Sequence, residues 1–525
     1  MYWSIIARRS LYWLLFAPLA AATASVENIP SEEWTSEQLS GRENNFGSQN
    51  ESCAAACATL HRTFDTDLAN TIAYGLDKAA YWSFFQAEVH PACFIQPTNA
   101  QDVAEILQVV RRTQCPFAVK SGGHAAFAGA SSSPGGITID LHRLNELSLS
   151  DDKTITHVGT GNRWIDVYDY LTPKSLSVIG GRVASIGTGG LTLGGGISFF
   201  SGRHGWACDN VVNYELVTAS SEILEVNHAS HPDLYFALRG GGNNFGIITR
   251  LDLNTIPQNP FWGGSLTTSY SSKTRNAAIE ALYHYAYNAP KDIDSALYVA
   301  FAYSQLPLGS YLIVSELTQA ANIPNPPIFE NFTSLPDRLF STLRRDTDMP
   351  SLAREINAAE PNGFRETYWT RTFTLPSSEI IYDVLEIFQD EVEAIKHVLG
   401  CLPALTLQII PENVMGHFAQ NGGNALGISP DQGPLLLVDI TVQWSDAGKD
   451  DAVLGAARNA INRSVARAKE IGAYHPYIYQ NYAAQEQEVF EGYGEENLEQ
   501  LRQISKRWDP EGVFQVLQPG YFKLW

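Results

Sequence analysis

Three glycine-rich stretches constrain this chain more than any other feature: SGGHAAFAGASS from Ser121, SIGTGGLTLGGG from Ser185 and RGGGNNFG from Arg239. Glycine costs conformational entropy wherever its freedom goes unused, so runs of this kind mark backbone that takes positive φ or lets another group come close. Successive bare N–H groups also form concavities that hold anions, and a diphosphate is a suitable occupant. None of the three contains G-x-G-x-x-G, and none ends in the Lys-Ser/Thr of a P-loop. A nicotinamide Rossmann site and a P-loop ATPase therefore lack their signals, as do a serine hydrolase (G-x-S-x-G) and a zinc protease (H-E-x-x-H).

At 525 residues the chain is long enough for two or more domains. Only 17% of its residues are charged, the net charge is −21, and no basic run occurs. Such a chain repels phosphate backbones and anionic lipid, which argues against nucleic acid and leaves a small organic substrate. Arg8 and Arg9 precede the apolar run LYWLLFAPLAAA, and Ala22-Thr23-Ala24 has the small-x-small form of a cleavage site. Residues 1–24 read as a signal peptide cleaved after Ala24, too short for a transmembrane helix and leaving no stable membrane insertion. The expected location is outside the cell or in the secretory lumen. There Cys53, Cys57, Cys93 and Cys115 could supply one or two disulfides of undetermined connectivity. Cys53 and Cys57 resemble half a zinc site, but no second half follows, and no metal is expected. Asn50, Asn331 and Asn462 head glycosylation sequons.

The segment PTNAQDVAEILQVVRR predicts a helix with Val103, Ile106, Leu107 and Val110 on one face and Thr98 and Gln101 as its capping box. Short β-rich segments follow, with a turn at Ser220-Ser221. Beyond about residue 260 longer strands, SALYVAFAYS, LTLQII and PLLLVDITVQW, alternate with a helix presenting Ile381, Val384, Leu385, Phe388, Val392, Ile395 and Leu399 and stopping at Gly400. The expected class is α+β: an N-terminal segment 25–84, a first domain 85–260, a second domain 261–473 made of a sheet covered by helices, and a C-terminal segment 474–525.

KSGGH at Lys120, GTGGLTLGGG at Gly187, CDNVVNYELVTA at Cys208, LRGGGNNFGIIT at Leu238, YQNY at Tyr479 and YGEENLEQLRQISKRWDPEGVFQ near the end occur in that order. Together they resemble the FAD-linked oxidoreductases of the vanillyl alcohol oxidase and p-cresol methylhydroxylase (PCMH) superfamily, in the berberine-bridge-enzyme-like branch. The resemblance implies that 85–260 is a PCMH-type two-part FAD-binding domain, that 261–473 is a substrate domain with a mainly antiparallel sheet covered by helices, and that 474–525 returns to the FAD domain. The ending LQPGYFKLW is similar to secreted fungal enzymes that tailor secondary metabolites. The resemblance implies FAD bonded through the 8α-methyl of its isoalloxazine to His124. It further implies a cofactor site built from Lys120, Ser121, Gly122, Gly123, Gly129, Gly187, Thr188, Gly189, Gly190, Gly194, Gly195, Gly246, Ile248 and Asn481. Many relatives carry a second tether at a cysteine; here the matching stretch is Gly181-Arg182-Val183, and valine forms no thioether, so attachment through His124 alone is expected. Where relatives place a histidine after the paired glycines, this chain has Leu191. Cys208 is outside the tethering position and reads as a small buried hydrophobe.

The implied reaction moves a hydride from a small organic substrate to flavin N5, with O2 as final acceptor and a base for the departing proton. The resemblance places that base at Tyr482, with Tyr479 as second candidate and Asn481 between them. A phenol near pKa 10 needs a cation or hydrogen bonds on its oxygen to serve. Tyr482 lining the pocket without titrating is the alternative. Gln408, on the apolar strand LTLQII, is a third candidate, facing either the flavin or water at a sheet edge. His204 reads as structural. A carbohydrate oxidase of the same fold is the competing activity, and a flavin-containing binding or cyclisation scaffold without redox turnover the competing class.

Overall fold

A computed structural model describes residues 43–64, 80–305 and 309–525; the signal segment expected at 1–24 lies outside the described residues. The first layer is a parallel three-stranded sheet, β1 (Cys93–Ile95), β2 (Phe117–Lys120) and β3 (Ile137–Asp140), in the order β1-β3-β2. Helices α1 (Glu43–Phe64) and α2 (Ala100–Thr113) accompany it. α2 starts one residue later than its sequence suggests. Asn99 is the cap, accepting from the Asp102 N–H, while Asp102 reaches back to the Thr98 N–H and hydroxyl, so Thr98 and Gln101 form no box. The Asn99 amide oxygen satisfies an orphan donor of the first turn one residue further along. Disulfides Cys53–Cys115 and Cys57–Cys93 staple α1 to the end of α2 and to β1, which removes the zinc reading of Cys53 and Cys57.

The second layer is an antiparallel sheet of six strands: β4 (Leu147–Leu149), β5 (Ile155–Gly159), β6 (Leu176–Val178), β7 (Val211–Val217), β8 (Ile223–Val226) and β9 (Ile247–Pro257), ordered β4-β5-β9-β7-β8 with β6 on β9. Ser221, at φ 68°, turns β7 into β8 as expected. A short helix, α3 (Thr188–Leu193), carries the second glycine cluster.

The third layer is antiparallel, with eight strands: β10 (Phe261–Ser269), β11 (Ser295–Ser304), β12 (Ser310–Gln319), β13 (Arg338–Ser341), β14 (Arg344–Thr347), β15 (Arg365–Thr374), β16 (Leu402–Ile410) and β17 (Leu435–Trp444). Side chains alternate across a strand, and register sorts them here into two unlike faces. Val299, Phe301, Leu405, Leu407, Val438 and Ile440 share a core with helices α4 (Ser272–Asn288), α6 (Glu379–Ile395) and α7 (Asp450–Glu470). The opposite face carries Tyr298, which pairs with Glu316 and Gln408 on its two sides, and Asp439, which pairs with Thr406 and Thr370. Six of the seven positions expected on α6 are buried; Leu399 is 66% exposed, because the helix ends at Ile395 and only a turn leads to Gly400 at φ 71°.

Two excursions return to the second layer. Helix α5 (Met349–Asn357) places Met349, Leu352 and Ala353 in its core, and the C-terminal stretch adds Tyr477, Tyr479, Phe490 and Leu501 of helix α8 (Glu495–Trp508). Among the described residues no helix is long and apolar enough to cross a membrane.

Candidate active site and cofactor cradle

The glycine loops converge on one cavity between the layers. A Cβ on Gly122 would meet the Gly187 nitrogen at 2.3 Å, and one on Gly187 would meet the Gly122 nitrogen at 2.3 Å, so the first two loops cross backbone on backbone. The Ser121 hydroxyl locks the crossing by donating to the Thr160 carbonyl at 2.6 Å and accepting from the Gly189 N–H at 3.3 Å. Thr160 in turn donates to the Ile248 carbonyl at 2.7 Å, which joins the start of β9 to the cradle. Ser121, Gly122, Gly123, His124, Gly187, Gly189, Gly190, Gly246 and Ile248 all line the cavity, and a Cβ on Gly190 would meet nothing within 4 Å.

Five expected cofactor residues do not line it. Lys120 is the residue of β2 in register with Asp140 on β3, and its ammonium lies 3.4 Å from that carboxylate and against the rings of Tyr81 and Phe94. The strand's alternation turns it away from the loop that follows. Gly129 lies off the cavity wall, with open space where a Cβ would be, and Thr188 is buried at the head of α3. Gly194 and Gly195 serve their neighbours: a Cβ on the first would meet Asn481 Oδ1 at 2.1 Å, and on the second Trp206 at 2.7 Å. They let the C-terminal segment close onto the second loop.

His124 sits deep in this cavity. Trp82 stacks on its ring, centroids 4.5 Å apart at 8°, and Tyr368 stacks on the far face of Trp82 at 4.9 Å. Its Nε2 is buried without a hydrogen-bond partner and lies 4.0 Å from Oε2 of Glu360, which is equally buried and unpartnered. Burial pulls the imidazole down to about 3, with the Arg163 charge adding to the fall, so the ring is neutral at physiological pH.

The C-terminal YQNY turn closes the opposite wall. Asn481 donates to the Leu191 carbonyl and to the Tyr479 hydroxyl, each at 3.0 Å, and the Ile197 N–H also donates to Tyr479. Two donors engage the Tyr479 oxygen, and its ring meets Tyr482 edge-on at 4.9 Å. The Tyr482 oxygen accepts from an Arg182 guanidinium N–H at 2.8 Å and from the Gln408 amide at 3.2 Å. Burial pushes the Tyr482 phenol up, while the Arg182 charge and the Gln408 hydrogen bond pull it back. Gln408 does not line the cavity itself. It is 4% exposed on an inner strand, so the water-facing edge alternative is wrong, and it reaches the site through Tyr482. Arg182 packs over the Tyr298 ring at 5.3 Å, and Val183 beside it, the residue at the position expected for a second tether, lines the cavity. His204 lies elsewhere, in a groove with Arg203 and Asp294.

Sequence reasoning missed Arg182, Glu360, Trp82 and Tyr368 as members of the site. Arg182 carried the one available signal, a cation one residue before the tether position; nothing in the chain's pattern marks Glu360.

The cavity suits a flavin dinucleotide. Its glycine walls admit a diphosphate among backbone N–H groups, and the neutral His124 imidazole lines its interior. The FAD binding domain family matches residues 91–227. The FAD-dependent monooxygenase tpcD of Cochliobolus heterostrophus is 38% identical over 494 residues, covering 90% of this chain and 94% of that protein. Berberine bridge enzyme from Eschscholzia californica superposes with a TM-score of 0.65 at 18% identity, covering 81% of this chain and 89% of that one. Glucooligosaccharide oxidase from Acremonium strictum, described with a 6-S-cysteinyl, 8α-N1-histidyl FAD, gives 0.64 at 18%, covering 85% and 93%. Those two likenesses concern the fold, whereas the first carries kinship: this chain belongs to the FAD-dependent oxidoreductase family of the fungal FAD-dependent monooxygenases, which it resembles along nearly its whole length.

Proposed function

We propose that this protein is a secreted FAD oxidase that oxidises a small organic molecule of fungal secondary metabolism, with O2 as electron acceptor and the flavin held covalently by His124 alone. The observation that carries the reading is the Tyr482 hydroxyl, set on the cavity wall with two donors, Arg182 and Gln408, on its oxygen. When bound, FAD would accept a hydride from a substrate C–H and pass its two electrons to O2, the hydride's proton and the proton taken by the base completing hydrogen peroxide. Tyr482 is the proton acceptor, because charge forming on its oxygen meets a guanidinium at 2.8 Å instead of an apolar wall. Gln408, on the polar sheet face behind it, acts through Tyr482 by holding its oxygen in place; the YQNY turn and Leu191 exclude water. Attachment through His124 is supported by its neutral ring, since only neutral imidazole keeps a lone pair for bonding carbon. Val183 leaves no second nucleophile at the tether position.

Export is supported by the two disulfides, and glycosylation by the exposure of Asn331 and Asn462; the third sequon, Asn50, falls on α1. Substrate fractions from a producing organism should bleach the flavin anaerobically, and air should restore the colour with release of hydrogen peroxide. Failure to bleach with any fraction would favour a non-redox scaffold. Rapid peroxide release with an oligosaccharide would favour a carbohydrate oxidase. The name monooxygenase borne by tpcD supports a second reading, oxygen insertion. Product formed under 18O2 separates the two, because an oxidase leaves the label in peroxide and a monooxygenase puts it in the product.

A further inference from the structure

Glu360 lies on the loop after α5, and nothing so far gives it work. Its placement is not loose. The Gly363 N–H donates to the Trp82 carbonyl at 3.3 Å, the Phe84 N–H donates to the Phe364 carbonyl at 2.8 Å, and the Trp82 N–H donates to the Gly123 carbonyl at 3.2 Å. Residues 82–84 therefore strap the Glu360 loop to the His124 loop, and Trp82 supplies the face on which the imidazole stacks. Between the two loops remain two buried polar atoms without partners, Nε2 of His124 and Oε2 of Glu360, 4.0 Å apart. Buried polar atoms are nearly always paired, so two orphans facing each other mark a pairing made only when the site is loaded.

We infer that Glu360 is the proton acceptor that equips His124 to bond the flavin: its carboxylate faces Nε2, holds the ring with Nδ1 as the bonding nitrogen, and takes the Nε2 proton as the C–N bond forms. This rests on reading His124 as the anchor. The Nδ1 lone pair forms a bond to the 8α carbon, one C–H bond of the methyl breaks, and the ring gives up its N–H proton. Two electrons and two protons are left over, carried first by the isoalloxazine and then by O2, which leaves as hydrogen peroxide. Without an acceptor the attached ring would stay cationic in a buried site, which burial strongly disfavours. A gap of 4.0 Å is longer than a hydrogen bond, and such contacts commonly tighten once the site is filled.

The carboxyl is suited to the role, because burial holds it up at about 7, against a partial downward pull from Arg182, so it can both accept and return a proton near neutrality. The other charged or titratable groups bearing on the pair are Arg163 beside His124, and Tyr368, Glu366, Asp439 and Tyr482 on the strands and turn across from Glu360. All four of the latter are held up by burial.

The test uses the full chain isolated from riboflavin-starved cells and given FAD, with the acid-stable flavin fraction followed over time. Glu360→Gln should bind FAD and melt at the wild-type temperature, yet attach it about 10²–10⁴-fold more slowly, the usual scale of general-base assistance. Glu360→Asp should recover most of the rate. The wild-type attachment rate should rise with pH through about 7, and the Gln variant should lose that rise. Attachment by Glu360→Gln at the wild-type rate, or with the wild-type pH profile, would overturn the assignment. A Gln variant that fails to bind FAD leaves the decision to the Asp variant, whose failure to attach FAD that it binds would also overturn it. Covalent flavin persisting in His124→Ala would instead sink the anchor reading on which the assignment depends.

Discussion

Replacing Arg182 by methionine removes the charge from the Tyr482 oxygen while keeping most of the side-chain volume over Tyr298. The guanidinium nitrogen is 2.8 Å from that oxygen. Unit charges about 4 Å apart at an effective dielectric of about 20 interact by about 4 kcal/mol, which at ~1.4 kcal/mol per unit is roughly three pKa units. The Gln408 donor remains and water can enter the vacated space, so a rise of about one to three units in the Tyr482 phenol is the working range. Below that pKa the ionised fraction falls tenfold per unit. Flavin reduction by substrate, measured anaerobically in single turnovers, should therefore slow by about 10- to 1000-fold at neutral pH. The rate of both proteins should still climb with pH at the alkaline end, because the phenol is already held above its ordinary value in the wild type. Arg182→Lys should recover part of the loss. In Tyr482→Phe the same Arg182→Met change should cost little more, since the two act through one oxygen. Additive losses in the double variant, or an Arg182→Met rate equal to wild type with an unmoved pH profile, would refute the assignment of Tyr482 as proton acceptor.

His124→Ala should leave a folded protein whose yellow colour passes into the supernatant on acid precipitation, where the wild-type colour stays in the pellet; a flavin peptide modified on cysteine would contradict attachment through His124 alone. Burial holds the Glu316 carboxyl up at about 8 from an ordinary 4.5, so the folded state keeps a proton that the unfolded chain releases. The associated stability is full below the unfolded value and is lost as pH rises through about 8, so thermal melts should show Glu316→Gln gaining on the wild type between about pH 5 and about pH 9. Cys93→Ser opens the 36-residue loop closed by Cys57 and should cost about 4 kcal/mol in denaturant unfolding on the chain-entropy scale; an unchanged midpoint would mean that Cys53–Cys115 alone fixes α1.

What the sequence made legible was what it stores locally. The demand for glycine at positions 122 and 187 is a property of two backbone points that touch, and the sequence records it at both as the absence of a side chain. Helix α6 advertised its buried face by period, and only its end misled, since an apolar residue at the right spacing cannot reveal that the helix has already stopped. Lys120 shows the opposite case. It adjoins the cofactor loop in sequence, but its direction is set by strand alternation and by a partner, Asp140, in register on the neighbouring strand. Arg182 reaches Tyr482 across 300 positions, and Glu360 is brought to His124 by hydrogen bonds through residues 82–84. Neither partnership leaves a periodic or compositional trace.

The substrate side of the cavity follows the same logic. In SALYVAFAYS the sequence writes an alternation but not which face meets what; helices α4, α6 and α7 settle that by covering the side with Val299 and Phe301. The side left over must then carry whatever polar residues the strands contain. Tyr298 lies on a strand far in sequence from those of Gln408 and Asp439, and only antiparallel register gathers the three on one face. Gln408 stood out in sequence as a polar interruption of an apolar strand, and it is that interruption, donated to the Tyr482 oxygen, which ties the polar face to the reacting end of the cavity. Gln408→Leu would cover the same area and break only this tie. Substrate-driven flavin reduction should therefore fall by less than in Arg182→Met, because the neutral amide gives the forming anion a hydrogen bond but not the net charge that the guanidinium adds.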